Sequence, residues 1–189
     1  MPELLKLLDL HEKSVTIAAL GCPKAIAETL VTGGGDYILA VKDKQPTLQT
    51  EIQAVFAQAP APKLRSSRVA TTSAKGRGRE EQRTVWVLPA HESLSAAQCA
   101  LWLGVLSVVR VTRAVWWQAR RAQSTEVSYF LSSLPPHARR LGRAIRGHWS
   151  IETGGHWVQE VVFREDARRV YDRTTAEHGA LLNRLALSL

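Results

Sequence analysis

A histidine or a glutamate recurs every four residues near the C-terminal end of this 189-residue chain, at His148, Glu152, His156 and Glu160. On an α-helix, residues four apart lie on one slowly drifting stripe. Imidazole nitrogens and carboxylate oxygens on one stripe could hold a divalent metal ion. The same run contains cationic and aromatic side chains suited to a phosphate backbone, namely Arg146, Trp149, Trp157 and Arg164. The pattern therefore predicts nuclease-like chemistry.

The same spacing also has an ordinary structural interpretation. Histidine and glutamate four residues apart attract each other on a helix surface without any ligand, and Trp149 and Trp157 could bury against a core. Gly154 and Gly155 weaken the helix prediction, because each glycine costs about 1 kcal/mol relative to alanine inside a helix. Spacing alone leaves both interpretations open.

The run over residues 146–166 resembles the C-terminal signature of a known family. The matching positions are Arg146, His148, Trp149, Ile151, Glu152, His156, Trp157, Val161, Phe163, Glu165 and Asp166. The run is similar to the pattern R-x-H-W-x-I-E-N-x-L-H-W-x-L-D-V-x-F-x-E-D of the H-repeat-associated (ISAs-type) DDE transposases. Its departures from that pattern include Thr153, Gly155 and Glu160, where the family has Asn, Leu and Asp.

Four further segments resemble motifs of this family, and they follow the family's order along the chain. They are residues 15–22 (T-I-D-A-x-G-C), 35–46 (G-A-D-Y-x-L-A-L-K-G-N-Q-P), 75–83 (K-x-H-G-R-x-E-x-R) and 129–135 (Y-x-I-S-S-L). The resemblance thus covers nearly the whole chain. It implies an RNase H-like catalytic domain that acts on DNA in transposition.

The resemblance also implies a set of three catalytic carboxylates, and we expect this chain to retain only one of them. Related transposases hold two Mg²⁺ ions with three carboxylates, and these ions drive DNA strand cleavage and transfer. Glu152 matches the third carboxylate, but Ala18 stands at the position of the second. The first is expected to be absent, because residues 1–10 resemble the stretch just before the second. Alanine offers no oxygen ligand to Mg²⁺, so we expect a truncated, catalytically degenerate copy in which Glu152 binds metal poorly.

Two other functions remain open from the sequence. The chain could be a non-catalytic DNA-binding or transposase-interacting regulator, which occupies transposon ends or forms mixed oligomers. It could also be an active metal-dependent nuclease that uses other acids, such as Asp36, Asp43 or Glu160. Neither Asp36 nor Asp43 is expected to project from the position of Ala18.

Seven residues in or beside the matched motifs are candidate DNA contacts. They are Lys42, Gln45, Arg79, Arg146, His148, His156 and Arg164. A structural role is an alternative for several of them. Lys42 and Gln45 could belong to a plain turn, and Arg79 could join Glu81 and Arg83 in a charge ladder across neighbouring strands.

Composition fits a single globular domain with a polyanionic partner. The formal net charge is +8 and the pI is about 10, which favours DNA, although a solvated basic face would look the same. Two clusters carry much of the positive charge: Lys63, Arg65, Arg68, Lys75, Arg77, Arg79 and Arg83, then Arg139, Arg140, Arg143 and Arg146. Cys22 and Cys99 are too far apart in sequence to indicate a zinc site or a disulfide framework.

The apolar runs predict no membrane partner. The longest, residues 99–109, is shorter than the roughly 18 residues of a membrane span and predicts a buried strand. The first residues lack a basic leader followed by an apolar stretch and a cleavage site, so we expect cytoplasmic residence.

Periodicity and turn residues predict an α/β fold. Residues 1–60 form an α/β part, with strands at 14–20 and 37–41 and helices at 23–32 and 46–58. Residues 64–134 form a β-rich insertion, with strands at 68–73, 83–88, 103–116 and 125–131 and a helix at 96–102. Residues 136–189 form a helical part, with helices at 137–149, 151–162 and 174–189. Together they predict a partial RNase H-like transposase catalytic domain.

The strand at 14–20 carries a further expectation. Without the strands that the family places beside it, its edge would be unpaired. Such an edge tends to recruit another chain. We therefore expect marginal stability or self-association, with a second copy or a full-length transposase as the partner.

Overall fold

A computed structural model describes Leu5 and residues 9–17, 24–42, 44–59, 68–76, 78–119 and 121–151 of the chain. The chain divides into two compact units, residues 1–145 and 146–189, and the fold described below is that of the first unit. Several positions singled out in the sequence lie outside the described residues: Ala18, Asp43, Glu152, His156, Glu160 and Arg164. The predicted helices at 151–162 and 174–189 lie almost entirely outside them as well.

The N-terminal part follows the predicted order of strand, helix, strand and helix. Strands β1 (Ser14–Ile17) and β2 (Asp36–Val41) are parallel neighbours, and helix α1 (Lys24–Thr32) lies between them in sequence. Helix α1 ends at the predicted glycine run, where Gly34 adopts a φ of +76°, a conformation that glycine accepts without steric strain. Helix α2 (Pro46–Gln58) begins with proline, which suits the first turn of a helix.

The following residues form two long antiparallel hairpins. The first comprises β3 (Val69–Gly76) and β4 (Arg79–Pro89), and the second comprises β5 (Ser107–Trp117) and β6 (Ala122–Ser132). The short helices α3 (Ala90–Ser93) and α4 (Ala96–Leu101) connect the hairpins, and α5 (Ala138–Ile151) follows β6. Because β2 pairs with β6, the described strands form one mixed sheet in the order β1-β2-β6-β5-β4-β3.

Two strand starts differ from the sequence prediction by four residues, and β3 and β6 each extend three residues further toward their hairpin tips than predicted. The strand predicted at 103–116 begins only at Ser107, because Gly104 takes a φ of +69° in a turn and Leu103 is exposed. The apolar run at 99–109 is therefore not one buried strand, and Cys99 lies half-buried in helix α4. Strand β4 begins at Arg79 rather than at residue 83, because the hairpin with β3 continues to its tip.

The sheet buries side chains on both faces, since alternate residues of a strand point to opposite sides. On one face, α2 packs against the sheet, and the ring of Phe56 meets that of Trp86 edge-on at 5.2 Å between centroids. The opposite face carries Val85, which lies beside helix α5 at Gly142. Leu141 of α5 is fully buried. The helices thus cover both sides of the strands that carry the matched motifs.

Strand β1 stands at one edge of the sheet within the described residues. Its Val15, Thr16 and Ile17 are only half-buried, as expected for a strand with one neighbour. The edge position agrees with the expectation from the sequence, and the self-association inferred from it stays a prediction. In the part of the chain that the structure describes, no helix is long and apolar enough to cross a membrane.

Candidate nucleic-acid interface

Two of the matched polar residues lie in the turn between β2 and α2. Lys42 is exposed, and its carbonyl accepts a hydrogen bond from the Gln45 backbone N–H at 2.9 Å. Gln45 immediately precedes α2, and its carbonyl accepts from the Gln49 N–H as the helix begins. The plain turn that the sequence allowed is therefore present. It leaves the Lys42 ammonium in solvent, where an anion can reach it.

The second and fourth matched motifs, residues 35–46 and 129–135, meet through two serine hydroxyls. Ser133 Oγ donates to Asp36 Oδ1 at 2.7 Å and accepts from the Tyr37 N–H at 2.9 Å. Ser132 Oγ donates to the Tyr37 carbonyl at 2.8 Å and accepts from the Leu134 N–H at 3.0 Å. These bonds join the start of β2 to the end of β6 across about a hundred residues of sequence. The matched Asp36 and serines therefore have a structural role.

This position also bears on Asp36 as a substitute metal ligand. Asp36 pairs with Ser14 at the start of β1, whereas Ile17 at the end of β1 pairs with Leu39. Three residues of strand separate these two pairs, which is about 10 Å. Ser133 thus binds the Asp36 carboxylate at one end of the strand pair. The chain continues toward residue 18 from the other end.

The third motif, residues 75–83, had a charge ladder as its alternative role. Of the three residues predicted for that ladder, Glu81 and Arg83 take part in one. Glu81 Oε2 accepts from Arg113 Nη2 at 2.8 Å and Nε at 3.0 Å, and Glu81 Oε1 lies 2.8 Å from Arg83 Nε. Arg113 also faces Glu126 at 3.7 Å. Arg79 is exposed at the start of β4 and takes part in none of these ion pairs. The role of Arg113 in this network was not predicted from the sequence, although a charged residue in a strand of valines and threonines signals a cross-strand partner.

The structure separates Arg79 from the turn that holds Lys42. Val41, just before Lys42, pairs with Tyr129 on β6. Tyr129 pairs with Arg110 on β5, and Arg110 pairs with Trp86 on β4. Arg79 is seven residues along β4 from Trp86, which is about 23 Å of strand. The two residues therefore lie at separate places on the sheet.

Two further candidate residues lie near the end of α5. Arg146 is exposed and His148 is half-buried, and both belong to the second unit of the chain. The helix predicted at 137–149 is confirmed, with bounds of Ala138 and Ile151. The other three arginines of the second basic cluster, Arg139, Arg140 and Arg143, are all exposed on α5.

Comparison with known proteins decides the family. The sequence matches the family described as Transposase DDE domain over residues 1–189. This chain belongs to the DDE transposase family. The relatives that this DDE transposase resembles include "Putative protein YbfL" and "H repeat-associated putative transposase YhhI", both of Escherichia coli strain K12. Each is 32% identical over 193 residues, which cover 100% of this chain and 50% of the relative.

A third relative of the DDE transposase chain is "Putative transposase YncI" of Escherichia coli O157:H7. It is 31% identical over 193 residues, which cover 100% of this chain and 48% of the relative. The chain therefore spans about half the length of the curated relatives it matches. No solved structure matches it. The match to H repeat-associated relatives confirms the resemblance inferred from the five motifs.

The divalent metal of DDE transposases can be tested against the donors that this chain offers. Hard cations such as Mg²⁺ take oxygen ligands, and a two-metal site needs several carboxylates. Two residues of this sequence, Ala18 and Glu152, align with catalytic carboxylate positions of the family. Ala18 has no oxygen on its side chain, so only Glu152 supplies a carboxylate there. Among the described residues, no group of three His, Cys, Asp or Glu side chains could hold a metal ion.

The buried core beside the second motif contains one perturbed acid. Tyr37 is fully buried on β2, and this burial raises the pKa of its phenol above the ordinary value near 10. The hydroxyl therefore stays protonated under all ordinary conditions. Its side chain supports the core and does not supply acid or base chemistry to a DNA-binding surface.

Proposed function

We propose that this chain is a catalytically degenerate insertion-sequence DDE transposase, which binds DNA but does not cleave it by itself. The observation that carries the proposal is Ala18, in a chain that belongs to the DDE transposase family over its whole length. We infer that Ala18 stands where the family has a carboxylate ligand, and a methyl group offers no oxygen to a metal ion.

The chemical argument follows from what the metals do when they are bound. Two ions activate a water or a 3′-hydroxyl and stabilise the leaving oxygen of the phosphodiester. Glu152 is the residue we assign to the remaining metal position, and a single carboxylate holds Mg²⁺ poorly because the ion demands several ordered oxygens. The engagement of Asp36 by Ser133 supports the view that this nearby acid does not take over.

The domain organisation is part of the proposal. We assign residues 1–60 and 136–189 to a partial RNase H-like catalytic domain and residues 64–134 to a β-rich insertion. The change from parallel pairing of β1 and β2 to antiparallel pairing of β3, β4, β5 and β6 supports this division, and the pairing of β2 with β6 joins both parts in one sheet. We further assign DNA contacts to the matched polar residues Lys42, Gln45, Arg79, Arg146, His148, His156 and Arg164.

A nicking assay tests the catalytic part of the proposal. Supercoiled plasmid is incubated with the purified chain and Mg²⁺ or Mn²⁺, beside Glu152→Gln and Ala18→Asp. We expect no nicking by the parent chain or by Glu152→Gln. Nicking by the parent that Glu152→Gln abolishes would contradict the proposal, since it would require a metal site assembled from other ligands.

The edge position of β1 favours a second candidate function, a regulator that interacts with an active transposase. An edge strand presents unpaired backbone groups to another chain, and β1 stands at the edge of the sheet within the described residues. Co-expression with a full-length H repeat-associated relative tests this candidate by transposition frequency. A fall in frequency, with co-purification of the two chains, supports a regulator. An unchanged frequency contradicts it.

A further inference from the structure

Helix α5 presents a set of arginines to solvent on one side and apolar residues to the protein on the other. The arginine stripe comprises Arg139, Arg140 and Arg143, all of which are exposed. Ala138 and Leu141 on the opposite side are fully buried. Residues advance by 100° around a helix, so Arg139 and Arg143 lie about 40° apart and about 6 Å apart along the axis.

The stripe has no acidic partner within the described residues. Helix α5 contains neither Asp nor Glu, and none of the three arginines forms an ion pair in the part of the chain that the structure describes. Other basic residues do have acidic partners, since Lys75 forms an ion pair with Glu80 at 3.2 Å and Arg68 forms one with Glu92 at 3.5 Å. Within residues 9–151, as far as the structure describes them, the positive charge of the stripe is therefore uncompensated.

This arrangement works against the stability of the helix itself. Like charges four residues apart, such as Arg139 and Arg143, destabilise a helix by about 0.2–0.5 kcal/mol. Arg139 and Arg140 also lie in the first turn, where the helix dipole disfavours positive charge. An external anion that contacts the stripe would relieve both effects. A bound polyanion would therefore stabilise a charge pattern that destabilises the unbound helix.

The stripe is held on a firmly seated helix. A Cβ atom added to Gly142 would come within 2.9 Å of Val85 Cγ2, so α5 lies directly against strand β4. Buried Leu141 and Ile145 hold the same side of the helix. Arginines on a rigid helix bind phosphates at less entropic cost than arginines on a mobile loop.

We propose that the arginine stripe binds the phosphate backbone of double-stranded DNA without sequence preference. This inference rests on the proposed function, which supplies DNA as the substrate class. Phosphate contacts by arginine give affinity and salt dependence but do not read bases. Between residues 138 and 148, the part of α5 whose side chains are described, no apolar side chain is exposed that could insert into a lipid bilayer beside the stripe.

A salt titration with matched variants tests the stripe. The Arg139→Gln/Arg143→Gln variant removes two charges from the stripe, and Lys24→Gln/Arg121→Gln removes two exposed charges elsewhere. Glutamine and arginine have similar helix propensities, so α5 should persist, which circular dichroism checks. Binding to a 25-base-pair duplex of arbitrary sequence is followed by fluorescence anisotropy between about 50 and 300 mM salt.

We expect the stripe variant to bind about tenfold or more weakly at low salt. The slope of log affinity against log salt should fall by about 1.8, because each phosphate contact contributes about 0.9. The control variant should keep the parent slope. Equal losses in both variants would overturn the proposal, since they would show a response to net charge alone.

The remaining outcomes separate the stripe from the proposed function. If the parent chain binds no DNA, both the stripe and the DNA-binding part of the proposed function fail. If the parent binds DNA and Arg139→Gln/Arg143→Gln binds with the same slope, only the stripe fails. Parallel binding to phosphatidylserine vesicles should be absent, and vesicle binding that needs Arg139 and Arg143 while duplex binding does not would also overturn the inference.

Discussion

Replacing Glu81 by glutamine removes the one negative charge between two arginines on the sheet. Arg83 and Arg113 are direct cross-strand partners on β4 and β5, so their guanidinium groups lie side by side. Glu81 neutralises this pair through its contacts at 2.8 to 3.0 Å. The Glu81→Gln variant keeps the size of the side chain but leaves two like charges facing each other, and we expect it to destabilise the fold.

The size of the loss follows from how far the network is shielded from water. The side chains of Glu81, Arg83 and Arg113 are 13%, 18% and 30% exposed. Hydrogen bonds to charged groups contribute about 1.5–3 kcal/mol, exposed ion pairs about 0–1 kcal/mol and broken buried pairs about 3–5 kcal/mol. This half-shielded network lies between those cases. We expect Glu81→Gln to lower the free energy of unfolding by about 2–3 kcal/mol.

Urea and thermal unfolding measure this loss. For a chain of this size, about 2–3 kcal/mol corresponds to a fall in Tm of about 5–10 °C. Lys75→Gln is the matched control, because the Lys75–Glu80 pair at 3.2 Å has side chains that are 73% and 39% exposed. We expect the control to change stability by less than about 0.5 kcal/mol. The reasoning would be refuted if the two variants were equally stable, or if a Glu81/Arg113 double-mutant cycle gave no coupling energy.

Three further predictions concern the packing around the sheet. Ser133→Ala should cost about 1–3 kcal/mol in urea unfolding, because it leaves the Tyr37 N–H without its acceptor in the interior. Gly142→Ala and Gly147→Ala gain the same helix propensity, but only the first meets Val85, so Gly142→Ala should be about 1–3 kcal/mol less stable than Gly147→Ala. Burial raises the folded-state pKa of Tyr37, so the folded chain holds its phenolic proton at a pH where the unfolded chain releases it. Stability should therefore fall as the pH rises above about 10, and Tyr37→Phe should reduce that slope; an unchanged slope would contradict the assignment.

The elements and their order follow closely from local sequence. Pro46 opens α2, the glycines after Thr32 close α1, and the alternation of β-branched residues marks the hairpin strands. These signals are local, because capping, turn chemistry and side-chain periodicity act over a few residues. The boundaries that differed most were the starts of β4 and β5. Pairing with β3 extends β4 to the hairpin tip, and the turn at Gly104 shortens β5.

The contacts between elements depend on pairings that are distant in sequence. The register that places Leu39 beside Leu131 brings Ser133 to Asp36 and Tyr37, and no pattern within either motif signals this meeting. The same register separates Arg79 from Lys42 along the sheet. A one-residue slip in pairing would exchange the two faces, so these distances exist only once the whole sheet has formed.

The sequence by itself determined the family. The proposal that a metal ligand is lost at Ala18 also rests on the sequence, because a side chain without oxygen cannot bind Mg²⁺ in any fold. Only the tertiary structure decided which basic residues are neutralised and which are open to a partner. Arg113 is satisfied by Glu81 from another strand, whereas Arg139 and Arg143 stand uncompensated on α5 within the described residues. Composition counts these charges alike, but their effect on a polyanion depends on the neighbours that folding places beside them.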